Sequence, residues 1–244
     1  MDGNFKLYDH EKSSERIAEI LDQPTGQFVE TDALPDRDRL TFTNGFYGRC
    51  SAIFVDIRDS SSLTQAYERP TLAKLYRAFI SEMVAVLNSD PYVREVNIVG
   101  DCVWATYNTP RKRDISDVYT VACRANTLLE LLNKHLIERG YDSLSIGIGV
   151  DWGHVLMVKA GYNGSGLNDV VYMGDVVNRA AHLAGNAGRA KVSPDPIWVG
   201  GDFFDNLDPG DSKWLKPKYD YELGNVYTGY VVLSEMSEWV RDQA

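Results

Sequence analysis

From Thr41 onward, apolar and polar positions fall into short blocks with regular periods. "RCSAIFVDI" (49–57) is a continuous apolar run, the pattern of a buried strand. In "RPTLAKLYRAFISEMVAVLNS", Leu72, Leu75, Tyr76, Phe79, Ile80, Met83 and Leu87 keep helical spacing, and Pro70 suits the first helical position. "YVREVNIV" and "CVWATYN" read as two strands joined by Gly100-Asp101, a two-residue hairpin signal. "SDVYTVACRANTLLELLNKHLIERG" predicts a long amphipathic helix capped by Ser116 and stopped by Gly140. "LSIGIGVDWG" predicts a strand that pairs with "HVLMVKAG", and "GYNGSGLN" predicts a loop. "DVVYMGDVVNRAAHLAGNAG" predicts a short strand and then a helix opening near Gly174. Residues 194–218 read as a surface excursion, and "YDYELGNVYTGYVVL" as a closing hairpin.

The order β-α-β-β-α-β-β-α-β-β, without internal repeat, implies an α+β fold. The expected core is ferredoxin-like β-α-β-β-α-β, with extra C-terminal strands. Residues 1–40 form a separate arm, with Ile17, Ile20 and Leu21 on one face of a short helix and a turn-rich linker behind it. The arm is expected to pack on the main domain, 41–244, or on a partner subunit.

Composition narrows the function classes. A net charge of −10 lacks the basic footprint of a general nucleic-acid binder. An acidic protein that handles an anionic ligand needs cations at the site. Three cysteines without ligand-like spacing fit a reducing cytosol better than disulfides or zinc. The polar, acidic start is no signal peptide, and no apolar run approaches a membrane span. A cytoplasmic protein is expected.

Two carboxylates carry the candidate chemistry. Asp56 ends one buried strand and Asp101 sits in the later hairpin; in a ferredoxin-like arrangement the first strand lies beside that hairpin, so both reach one sheet edge. Two bare carboxylates would repel, and divalent cations remove the conflict. After Asp56, "IRDSSS" reads as a turn whose N–H groups can cradle an anion.

At these residues the sequence resembles the class III nucleotidyl cyclases. "FVDIRDSSSLT" and "NIVGDCVWA" look like the two metal motifs, and "VVYMGDVVNRAAHLAG" looks like the motif a partner subunit contributes. The resemblance implies intramolecular phosphoryl transfer: a ribose 3′-hydroxyl attacks the α-phosphate of a nucleoside triphosphate, releasing pyrophosphate. It implies two divalent metal ions, Mn²⁺ or Mg²⁺, on Asp56 and Asp101, with help from the Ile57 carbonyl. It implies that backbone N–H groups of Arg58, Asp59, Ser60 and Ser61 hold phosphates. Asn178 matches the Asn that orients the ribose across a head-to-tail homodimer.

The match departs in two places. Where the family usually has a transition-state Arg, this chain has His182. Arg179 or another cation replaces it, or His182 acts protonated; Lys159, Arg189, Lys191 and Lys216 are further candidates. The base-reading positions hold Asn97 and Val171, neither purine code. An Asn amide suits uracil or cytosine alike. Tyr47, just before the first metal strand, is a candidate pocket wall. Altered base codes and "FYGRC" resemble the pyrimidine cyclases of bacterial antiphage (Pycsar) systems. That resemblance implies a cUMP or cCMP synthase, UTP preferred, whose product rather than the enzyme reaches an effector. The rival readings are a purine cyclase and a nucleotide-binding sensor without catalysis.

Overall fold

The computed structural model describes residues 2–243. Helix α1 (His10–Leu21) is capped by Asp9, which accepts from the Glu11 and Lys12 N–H groups, and it buries none of its residues. Strands β1 (Phe28–Glu30) and β2 (Gly45–Ile57) follow, then α2 (Ser60–Ala66), α3 (Arg69–Leu87), β3 (Val93–Val99), β4 (Cys102–Asn108) and α4 (Lys112–Glu138). The second half holds β5 (Ile146–Tyr162), β6 (Leu167–Met173), α5 (Asp175–Asn186), β7 (Ile197–Gly200), α6 (Gly201–Asn206) and α7 (Pro209–Ser212). A hairpin of β8 (Lys216–Asp220) and β9 (Gly224–Gly229) and helix α8 (Ser234–Asp242) close the chain.

The sheet order β3-β4-β2-β5 is that of the ferredoxin-like core, and β7, β9 and β8 extend it. Its strands β2, β3, β4 and β5 are mutually antiparallel where they pair. Side chains alternate between sheet faces. Ile53, Val55 and Ile57 of β2 enter the core beneath α3 and α4, together with Leu75, Phe79, Met83 and Val118. Each such fully buried side chain contributes roughly 1.5–3 kcal/mol. Phe46, Cys50 and Ala52 face the other way, toward Val176 and Ala180 of α5.

On that second face α5 lies directly on β5. A Cβ at Gly149 would fall 2.0 Å from the Ala180 carbonyl oxygen, and one at Gly147 would fall 2.3 Å from that of Ala184. The alternating glycines of "SIGIGV" are thus the seat of a helix.

Several expectations are corrected. "LSIGIGVDWG" and "HVLMVKAG" are not a paired hairpin but one 17-residue strand, β5. Trp152-Gly153 looks like a turn, yet all thirteen residues of β2 pair with β5 in unbroken register across it. The long helix starts at Lys112, where the Asp114 carboxylate accepts the Arg111 N–H; Ser116 lies inside the helix and accepts the Asp208 N–H instead. "DSSS" enters a short helix, α2, rather than a plain turn. The stretch 194–218 contributes β7, whose Trp198 and Val199 are fully buried. The arm is only partly separate. Residues beyond its helix join the domain: β1 pairs with β2, and Leu34 and Leu40 are buried. Ile17, Ile20 and Leu21 stay exposed, while Arg16 and Lys6 both lie over the Tyr162 ring at the β5 tip.

Candidate active site

Register brings the two carboxylates together. Asp56 pairs with Cys102, the residue after Asp101, and Val99 pairs with Cys102 across the two-residue turn. Gly100 takes φ +63°, which lets the turn close tightly and leaves Asp101 beside the end of β2. Burial pushes the Asp56 carboxyl above its ordinary value; Arg58 pulls it back, Asp101 raises it again and Arg189 lowers it. Each of these groups is therefore within electrostatic reach of Asp56.

Arg58 occupies one side of Asp56. Its buried guanidinium donates to the Asp56 carboxylate and, at 2.8 Å, to the Gly185 carbonyl at the end of α5. The Arg58 main-chain N–H goes to Ser145 at 2.8 Å. It is thus unavailable for a phosphate, which corrects the expectation for that one group. Peptide groups alternate sides along a strand. The Ile57 carbonyl therefore points toward β4, one step past the last β2–β4 pair.

The chain turns into α2 through Asp59, at φ 52° and ψ 33°, which is the one non-glycine residue in the left-handed region among those described. Ser60 and Ser61 follow in the first turn, where N–H groups have no intrahelical acceptor. Tyr76 of α3, read from sequence as a core residue, approaches from above. Burial pushes its phenol up, Asp101 adds to this, and a hydrogen bond with Ser60 opposes it. The only sequence signal was a hydroxyl within an apolar stripe.

The donor set fits hard divalent cations. Among the described residues no three His, Cys, Asp or Glu side chains gather as a metal cluster. Two carboxylates and a main-chain carbonyl leave the remaining positions for substrate oxygens and water, as magnesium-type sites do. A guanidinium already sits on Asp56, so positive charge is what this carboxylate attracts.

The residues expected to read the base separate. Asn97 pairs with Trp104, which pairs with Phe54, so the three share the face that carries Asp56, one side-chain row away. Phe54 and Trp104 stack with centroids 5.0 Å apart and ring planes nearly parallel. Tyr47 is not the wall of this pocket in its own chain. It lies nine residues along β2 from Asp56, roughly 30 Å in an extended strand, and its odd position puts it on the opposite face. There it stacks on His154 at 5.1 Å. Val171 is exposed on β6, which pairs only with the far half of β5.

On α5, Asn178 and His182 are exposed, one turn apart. Arg179 is committed elsewhere: its Nε donates at 2.9 Å to Asp151, a carboxylate 2% exposed. Of the alternatives for the missing catalytic Arg, Arg179 is thus the one already paired within its own chain. Among the candidate cations, Arg189 is the one felt by both Asp56 and Arg58. Lys159 stands over Phe42, and Lys216 opens the β8 strand at the far side of the sheet.

Residues 43–199 match the family described as "Adenylate and Guanylate cyclase catalytic domain". The chain belongs to this family. As a class III nucleotidyl cyclase it is an enzyme of the lyase class. It is 36% identical to a protein of Gulbenkiania mobilis named "Uridylate cyclase", covering 99% of both chains. It is 34% identical to a Treponema porcinum protein of the same name, covering 96% of this chain and 81% of the relative. The cyclase fold is shared with the adenylyl cyclase CyaB from P. aeruginosa (TM-score 0.62, 17% identity, 76% of this chain and 95% of that one). A class III adenylyl cyclase-like ATP-binding protein from Pseudomonas aeruginosa aligns at TM-score 0.70 and 17% identity, over 94% of this chain and 49% of that one. No helix among the described residues of the cyclase is long and apolar enough to cross a membrane.

Proposed function

We propose that this cyclase converts UTP to 3′,5′-cyclic UMP and pyrophosphate. The observation that carries the reading is the β2–β4 register, with Asp56 and Asp101 at one sheet end. Similarity along the whole chain to proteins named uridylate cyclase supports uracil as the base. Asp56, Asp101 and the Ile57 carbonyl would hold two divalent ions, Mn²⁺ or Mg²⁺. Such ions, when bound, lower the pKa of a substrate hydroxyl and neutralise phosphate charge.

The chain's own groups do the rest. Ser60 and Ser61 offer N–H groups to phosphate oxygens. Phe54 and Trp104 offer flat apolar surface to the base, and the Asn97 amide offers a donor and an acceptor to its edge. A purine's edge would find no second polar reader at Val171. Asn178 and His182, exposed on α5, serve the substrate of a second copy in a head-to-tail homodimer, so the dimer has two composite sites. Positioning and charge stabilisation then account for the rate. The product acts as a cytoplasmic second messenger in antiphage defence, through an effector the enzyme does not touch.

Incubation with equal ATP, GTP, CTP and UTP plus Mn²⁺, with products resolved by mass, tests this. Cyclic UMP is expected to predominate. Predominant cyclic CMP would move the reading to CTP, a base Asn97 suits equally. Predominant cyclic AMP would overturn the pyrimidine pocket, and absence of any cyclic product would overturn catalysis in favour of a nucleotide sensor.

A further inference from the structure

Two guanidinium groups converge on one oxygen beside the carboxylate pair. Arg58 and Arg189 both donate to the Gly185 carbonyl, at 2.8 and 2.5 Å. Gly185 lies in the last turn of α5, where carbonyls lack intrahelical partners and carry the negative end of the helix dipole. That turn has no basic residue of its own, so both cations reach it from outside. The sequence makes room for them. A Cβ at Gly147 would come within 3.0 Å of Arg58 Cζ, and Gly188, at φ +66°, turns the chain so that Arg189 reaches back.

The two cations are unequally satisfied. Arg58 is 6% exposed and pairs with Asp56, yet its buried Nε has no partner. Arg189 is exposed, and among the described residues no carboxylate pairs with it. Asp56, Asp101, Arg58 and Arg189 thus make a quartet with two charges of each sign. A hard cation on Asp56 competes with Arg58 for the same oxygen. Once released, Arg58 and its neighbour Arg189 present adjacent planar forks, the geometry that binds phosphate bidentately.

We propose that Arg58 and Arg189 form a clamp, within one chain, for the anionic phosphate end of the nucleotide, freed for that task when Asp56 exchanges Arg58 for a metal ion. The clamp rests on the cyclase reading and supplies the cation that position 182 does not. It also accepts free pyrophosphate, which has the same chemistry as the end of the substrate it holds.

The test uses the full-length protein and two probes without turnover: Mn²⁺ alone, followed by electron paramagnetic resonance, and Mn²⁺–pyrophosphate, followed by calorimetry. Arg189→Gln is expected to weaken pyrophosphate about tenfold without weakening Mn²⁺ alone, since it removes a positive charge near Asp56; Arg189→Lys is expected to recover only part of the loss. Arg58→Gln is expected to weaken pyrophosphate but tighten Mn²⁺ severalfold, because Asp56 is no longer shared. A merely structural arginine would not move the two affinities in opposite directions. If the buried Arg58 variant does not fold, the exposed Arg189 variants decide alone. Pyrophosphate affinity in Arg189→Gln within twofold of the parent would overturn the clamp even if cyclic nucleotide is made. A parent protein that makes no cyclic product would overturn the cyclase reading, and the binding data would show whether the anion site survives it.

Discussion

Asp151 should make the protein lose stability as pH rises through the weakly acidic range. Its carboxyl is 2% exposed, accepts from the Trp152 N–H and from Arg179, and packs against Gly200, where a Cβ would lie 2.1 Å from Oδ1. Burial is the largest influence and pushes its pKa from 3.8 to about 6, against the opposing pull of the Trp152 N–H and Arg179. The folded state therefore holds this proton more tightly than the unfolded chain does. The associated stability is complete below about pH 4, falls as pH rises toward 6, and stays lost above it. A shift of about two units corresponds to about 3 kcal/mol.

Asp151→Asn removes the titration while keeping an oxygen acceptor for Trp152. Urea unfolding of both proteins, followed by tryptophan fluorescence from pH 4 to 8, gives the difference between them, in which other titrating groups cancel. The variant should gain about 2–3 kcal/mol on the parent between pH 4 and pH 7. Arg179→Gln should steepen the parent's fall, because an opposing charge is gone. Parallel pH profiles for parent and Asp151→Asn would refute the reasoning, and would return Arg179 to the pool of catalytic candidates.

Three further outcomes are expected. Asp56→Ala and Asp101→Ala should each lower cyclic-nucleotide formation at least a hundredfold with Mn²⁺; a variant with full turnover would displace the site. At position 59, φ 52° reverses the usual order of small residues: Asp59→Gly should be more stable than Asp59→Ala by about 1 kcal/mol in chemical denaturation, and equal midpoints would contradict the left-handed backbone. Mixing inactive Asp56→Ala with inactive Asn178→Ala should restore up to about a quarter of the activity, since random pairing makes half the dimers mixed, each with one intact composite site. No recovery after subunit exchange, with dimers present, would count against the head-to-tail arrangement.

The sheet end that carries Asp56 and Asp101 was legible because its signals are local. An apolar run closed by Asp56, and Gly-Asp between two β-rich runs, specify strand ends without reference to the rest of the chain. Helix α3 was legible for the same reason, with Pro70 near its start. What stayed hidden depends on partners distant in sequence. Trp152-Gly153 has turn composition, yet β2 holds it extended through thirteen register pairs. Arg179 sits one residue from Asn178 and invites a catalytic role, but Asp151, on strand β5, pairs with it. Tyr76 fits the apolar stripe of its helix; only the fold brings its hydroxyl within electrostatic reach of Asp101. The Arg58–Arg189 pair needs α5 to end above β2, which no local pattern states.

The geometry divides the chain into two unequal functional ends. Asp56, Asp101, Asn97 and the Phe54–Trp104 stack gather where β2, β3 and β4 meet. Val171 lies along the far half of β5, and Asn178 and His182 face outward from α5. Strand β5 is too stiff and too continuously paired to fold one end onto the other. Asn178 and His182 are exposed on α5, away from the carboxylates of their own chain, so the ribose and phosphate roles proposed for them are consistent only with a second copy. The guanidinium clamp follows from the same constraint: a site whose distal groups arrive only on association needs its own chain to balance the carboxylates beforehand, and Arg58 on Asp56 does this. The proposed clamp would place its two guanidinium groups at the sheet end that carries Asp56 and Asp101, within one chain.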